Sequence, residues 1–101
     1  MKNLIVWLDD ERPMPEGFNY HASKIEELYH HLRGGEIDHI SFDHDLGENN
    51  KTGYDLACLI EELAFQKAMP KISWDVHSQN PIGADKIRAA MENATYLWSR
   101  G

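Results

Sequence analysis

Five consecutive apolar residues, Leu4 to Leu8, run without a break into Asp9-Asp10-Glu11-Arg12-Pro13. An apolar run without alternation is the pattern of a strand buried on both faces of a parallel sheet. Its abrupt end puts a pair of carboxylates at the strand's C-terminal end. The pattern recurs. His39-Ile40-Ser41-Phe42 leads straight into Asp43-His44-Asp45, and Lys71 to His77 ends at His77-Ser78-Gln79-Asn80-Pro81. In the last of these Ile72, Trp74 and Val76 alternate with Ser73, Asp75 and His77, which places that strand near an edge with one polar face.

Helical stretches separate the strands. Tyr20-His21-Ala22 reads as a short strand, after which Ser23 and Glu26 have capping-box spacing, and Ile25, Leu28, Tyr29 and Leu32 form a buried stripe that stops at Gly34-Gly35. Thr52 caps a second helix with Leu56, Leu59, Ile60 and Leu63 inward. Asn80 and Pro81 start a third with Ile87, Ala90, Met91 and Ala94 inward, and Thr95 to Gly101 reads either as its extension or as a short final strand. Strand and helix in alternation predict an α/β sheet of parallel strands with right-handed crossovers, in one domain over residues 1–101. Parallel strands bring their C-terminal ends to one edge, where open α/β folds bind ligands.

Composition narrows the function. There are 17 Asp plus Glu against 10 Lys plus Arg, a net charge of −7, which works against general nucleic-acid or anionic-membrane binding. No apolar run approaches the roughly 20 residues of a membrane helix, and a lone cysteine, Cys58, allows no internal disulfide. The expectation is a soluble, cytoplasmic protein. Nothing in the sequence sets an oligomeric state.

Carboxylates converging at a sheet edge repel one another and are reconciled by a divalent cation, Mg²⁺ or Mn²⁺ for oxygen ligands. Asp9, Asp10 and Asp43 are the candidate ligands; each taken singly is better explained as a turn residue or cap, and it is the three strand-end positions together that point to a metal site. His44 and His77 are candidate proton donors to a departing ester oxygen. Arg12, Ser78 and Asn80, with Lys51 in the loop after Asp45, are candidates for holding a phosphate. Cys58, among Ala57, Leu59 and Ile60, suits a small buried residue.

Leu8-Asp9-Asp10, Asp43 at a second strand end and a hydroxyl residue at a later one resemble the receiver domain of two-component signalling. That family implies a flavodoxin-like sheet, an acid pair for Mg²⁺, a phosphoacceptor Asp and a lysine on the last strand. The chain departs from it: Asp10 to Tyr20 is too short for the first receiver helix, no final strand with lysine is visible, and His44 and His77 are not receiver features. It is more similar to the cyclic-phosphate processing receiver-like family, through Leu8 to Pro15, Ser41-Phe42-Asp43-His44-Asp45-Leu46-Gly47, Thr52-Gly53-Tyr54-Asp55 and His77-Ser78-x-Asn80-Pro81-x-Gly83. The resemblance spans nearly the whole chain. It implies a receiver-like sheet with helices on both faces, its first helix and last strand shortened or lost. It also implies an enzyme that hydrolyses a small cyclic phosphate, such as a cyclic nucleotide or a 2′,3′-cyclic phosphate end. In that reading Asp9, Asp10 and Asp43 hold the cation and His77 or His44 acts as general acid. The alternative is a non-catalytic receiver-like signalling or nucleotide-sensing module; a degenerate interaction protein is a third.

Overall fold

Leu4–Leu8, the most apolar stretch, becomes β1 and takes an interior place in the sheet, between β2 (Tyr20–Ala22) and β3 (Ile37–Phe42). The computed structural model describes residues 3–100. The fourth strand, β4 (Ser73–Val76), lies outside β3, giving the order β2-β1-β3-β4 with every pairing parallel. The polar alternation of β4 thus falls on an edge strand, as the sequence predicts. Leu8 pairs with both Ala22 and Phe42, and Phe42 with Val76, so the strands end level. The ladder runs one residue further, because Asp43 N–H donates to Leu8 O and His77 N–H to Phe42 O. Asp9, Asp43 and His77 consequently leave the sheet in one row.

Three helical segments follow β2, β3 and β4. The first begins as a 3-10 turn, Ile25–Leu28, and continues as α1, Tyr29–Arg33; α2 is Gly53–Phe65 and α3 is Pro81–Ser99. Thr52 and Asn80 cap α2 and α3 as expected, through Asp55 N–H and Gly83 N–H. The first cap is displaced by one residue. Glu27, not Glu26, reaches back to accept from the Ser23 and Lys24 amides, because the N-cap is Lys24 and Glu27 is therefore the third residue of the turn. The tail resolves as helix through Ser99, and Trp98 Nε1–H donates to Met69 O from it.

Alternate strand residues Val6, Leu8, Ile40 and Phe42 share one cluster with Leu28, Leu32, Leu56, Ile60, Ile87 and Met91. Every helical segment therefore packs on one face of the sheet. Right-handed crossovers require this arrangement, since β2 to β3 and β3 to β4 both move in the same direction across the sheet. The expected helices on both faces reduce to one face. The connection that would cover the other face, between β1 and β2, is the shortened one, and its residues 9–19 lie there as a loop, with the Phe18 ring edge-on to Trp7 at 5.2 Å. The remainder of the expected fold class holds: a receiver-like parallel α/β sheet with no strand after β4 among the described residues.

Close approach fixes two glycines. A Cβ on Gly53 would collide with the Asp43 carbonyl oxygen, and one on Gly83 with the His44 ring. Both glycines are buried. Gly83→Ala should cost about 1–3 kcal/mol, the usual penalty for forcing volume into a packed site. Urea unfolding checks this, with a midpoint shift and an unchanged slope expected.

Candidate functional site

Asp9 is fully buried although it carries a charge, and its surroundings explain how. Its Oδ1 accepts from the Glu11 and Arg12 amides at 2.7 and 2.8 Å, closing a tight turn directly after β1. Its Oδ2 accepts from His77 Nε2 at 3.0 Å. Burial alone raises the pKa of such a group, but the Arg12 and Glu11 amides and the His77 ring together outweigh it and hold the carboxyl below its ordinary 3.8. The backbone is tied down as well, with His21 Nε2–H donating to Asp9 O at 2.8 Å. A lowered value in the folded state stabilises the protein above the unfolded-state value, and this contribution disappears as pH falls through the folded one. Cation-free melting curves should therefore fall off below about pH 4 in the wild type, and less steeply in Asp9→Asn.

Beside Asp9, half-buried Asp43 accepts from the His44 amide on Oδ1 at 2.8 Å. Asp9, Asp43 and His77 each offer one ligand atom, and these atoms lie within 4.8 Å of one another. Asp10 is exposed and faces the same space. That space is a cleft of about 280 Å³, lined by Asp9, Asp10, Glu11, Asp43 and Asp45 together with Arg12, Ser78, Gln79 and Asn80. Five carboxylates thus confront one guanidinium, whose Nη1–H donates to His77 O at 2.9 Å.

The two histidines differ in setting. His77 was expected to turn its ring to the ligand edge. Instead the ring lies on the helix-free face of the sheet, stacked on Trp7 with centroids 3.7 Å and planes 9° apart, and neither it nor the His44 ring is part of the cleft lining. Its Nδ1 sits 2.8 Å from Ser41 Oγ and its Nε2 on Asp9, so both ring nitrogens are engaged. His44 packs over the first turn of α3, where Gly83 admits it, and its Nδ1 lies 2.8 Å from Asp45 Oδ1. That hydrogen bond, with a weaker one from Asn80, holds Asp45 below its ordinary value against the opposing effect of burial. No group among the described residues bonds His44 Nε2.

Of the expected phosphate-holding residues, Arg12, Ser78 and Asn80 line the cleft, and Lys51 is exposed outside its lining. Ser78 Oγ accepts from the Asn80 amide and Asn80 Oδ1 from the Gly83 amide, so both also build the start of α3. Glu11 and Gln79 line the cleft without having been singled out from the sequence. Ser41 and Trp7 support the site from β3 and β1. Their position was readable only once β1, β3 and β4 were known to be neighbours, since Trp7 pairs with Ser41 in register.

A cleft at the C-terminal edge of a parallel sheet, with acid at the ends of two adjacent strands, defines a receiver-like α/β domain with a polar cleft at that edge. The family model described as cyclic-phosphate processing receiver domain matches residues 4–93, and the chain belongs to that family. Neither the comparison with curated proteins nor that with solved structures gives a match.

Proposed function

We propose that the chain hydrolyses a small cyclic phosphate, a cyclic nucleotide or a 2′,3′-cyclic phosphate end, with the help of a divalent cation, Mg²⁺ or Mn²⁺. The observation that carries the reading is the charge of the cleft. Five carboxylates against one arginine repel a phosphate ester unless positive charge is added, and Asp9 and Asp43 have oxygens close enough together to hold it. This donor set suits a hard cation, with Asp10 as the third ligand from the cleft wall. When bound, the cation supplies charge stabilisation to the phosphoryl oxygens.

The chain's own residues do the rest. Arg12 and the hydroxyl and amide groups of Ser78 and Asn80, which share the cleft lining, orient the phosphate. His44 is the better proton donor to the departing oxygen: its Nδ1 is held by Asp45, which with Asn80 lines the cleft beside it, and its Nε2 has no partner among the described residues. Asp43 both ligates the cation and, through its hydrogen bond to the His44 amide, ties the cation position to the acid. The receiver-like signalling alternative draws no support from the chain after β4, which is helical through Ser99 and supplies no lysine-bearing strand.

A screen of cyclic mononucleotides, cyclic dinucleotides and RNA ends bearing 2′,3′-cyclic phosphate, followed by chromatography with and without Mg²⁺ or Mn²⁺, tests the reading. Cation-dependent conversion of one class to its ring-opened phosphate is expected. Conversion that is indifferent to chelator, or none in any class, contradicts it.

A further inference from the structure

The hydrogen bonds on the open face of the sheet constrain His77 more tightly than its place near the cleft suggests. Ser41 is buried, and His77 Nδ1 is the one hydrogen-bond partner of its hydroxyl among the described residues. No buried side-chain polar atom among the described residues is left without a partner. The buried hydroxyl proton is therefore donated to Nδ1, which must carry a lone pair, and the ring proton of the neutral imidazole must then sit on Nε2, 3.0 Å from Asp9 Oδ2. The opposite tautomer would set a nitrogen lone pair against a carboxylate lone pair and strand the serine proton. Trp7, stacked on the ring at 3.7 Å, fixes its plane, and Trp7 Nε1–H donates to Arg12 O at 3.2 Å.

We infer that His77 is a positioning residue, the middle of a Ser41–His77–Asp9 relay, whose Nε2–H holds Asp9 in place and neither protonates the substrate nor ligates the cation. Asp9 Oδ1 already accepts two amides and Oδ2 accepts His77, so a single lone pair on Oδ2 remains for a cation. The carbonyl of the same histidine holds Arg12 Nη1. One residue thus sets both an anionic group and the guanidinium of the cleft lining. Groups that fix ligands in this way typically change metal affinity by about 10–100-fold when removed. The inference rests on the proposed role of Asp9 as a cation ligand.

Nitrogen NMR on the full chain, labelled at histidine, reads the tautomer directly. His77 should show a protonated Nε2 and an unprotonated Nδ1, both without Mg²⁺ and with Mg²⁺ at saturation. A proton on Nδ1, or loss of the Nε2 proton as Mg²⁺ is added, overturns the relay, and the second result would make His77 a ligand. In calorimetry with Mg²⁺, His77→Ala should bind about 10–100-fold more weakly, and His77→Gln, whose amide is a donor of similar reach, should recover most of the loss. Equal weakening in both variants contradicts positioning. A wild type that binds neither Mg²⁺ nor Mn²⁺ defeats the proposed function, whereas the tautomer in the free protein still decides the relay.

Discussion

Asp43→Ala is expected to lose divalent-cation binding and, with it, about 10³-fold or more in turnover. The estimate follows from the several kcal/mol that a cation contributes to developing phosphoryl charge, at about 1.4 kcal/mol for each tenfold in rate. Asp43 leaves β3 directly beside Asp9 at the end of β1, because the register sets Phe42 opposite Leu8. The fold should tolerate the change, since Asp43 is only half-buried and the backbone bond from its amide to Leu8 O survives it. Calorimetry with Mg²⁺ and Mn²⁺, beside a melting curve, separates the two effects. Wild-type cation affinity in Asp43→Ala would remove the carboxylate row from the account.

His44→Ala should have the complementary profile. Turnover falls by about 10²–10⁴-fold, the usual contribution of a placed proton donor, while cation binding stays within a few-fold of the wild type. Among the described residues the hydrogen-bond partners of the His44 side chain are Asp45 and Asn80, not Asp9. His77→Ala, by contrast, should weaken both cation binding and turnover. Steady-state rates beside calorimetry on the two variants separate these roles. A His44→Ala enzyme at full speed would pass the proton-donor role to another group.

These two histidines also show what the sequence carries and what it does not. That the acid pair after β1 would meet Asp43 and His77 was legible, because an apolar run ending in acid marks a parallel strand and parallel strands share their C-terminal edge. That Asp9, and not the exposed Asp10, would be the carboxylate grouped with Asp43 was not. The capped starts of α2 and α3 were legible too, from Thr52 and from Asn80 with Pro81. The direction of the His77 ring was not. It depends on the pairing of β3 with β4 and of β1 with β3, which brings Ser41 and Trp7 beneath it from more than 30 residues away in the chain. The one-sided helical layer was implicit in the short Asp10 to Tyr20 connection, but only the strand order decides which face a crossover covers. The helical tail was settled by tertiary contacts, the bond of Trp98 to Met69 O and that of Trp74 Nε1–H to Thr95 Oγ1, to which local propensity is blind.

The central claim is cation-dependent hydrolysis, and oxygen-18 water tests it most directly. Wild-type protein with the substrate class found by screening, in ¹⁸O-enriched water with Mg²⁺ or Mn²⁺, is followed by phosphorus NMR, in which an ¹⁸O atom bonded to phosphorus displaces the resonance. The account predicts a ring-opened phosphate monoester carrying one solvent-derived oxygen, formed with the cation and not with chelator. A ring-opened product without the label, or one formed equally in chelator, would contradict it.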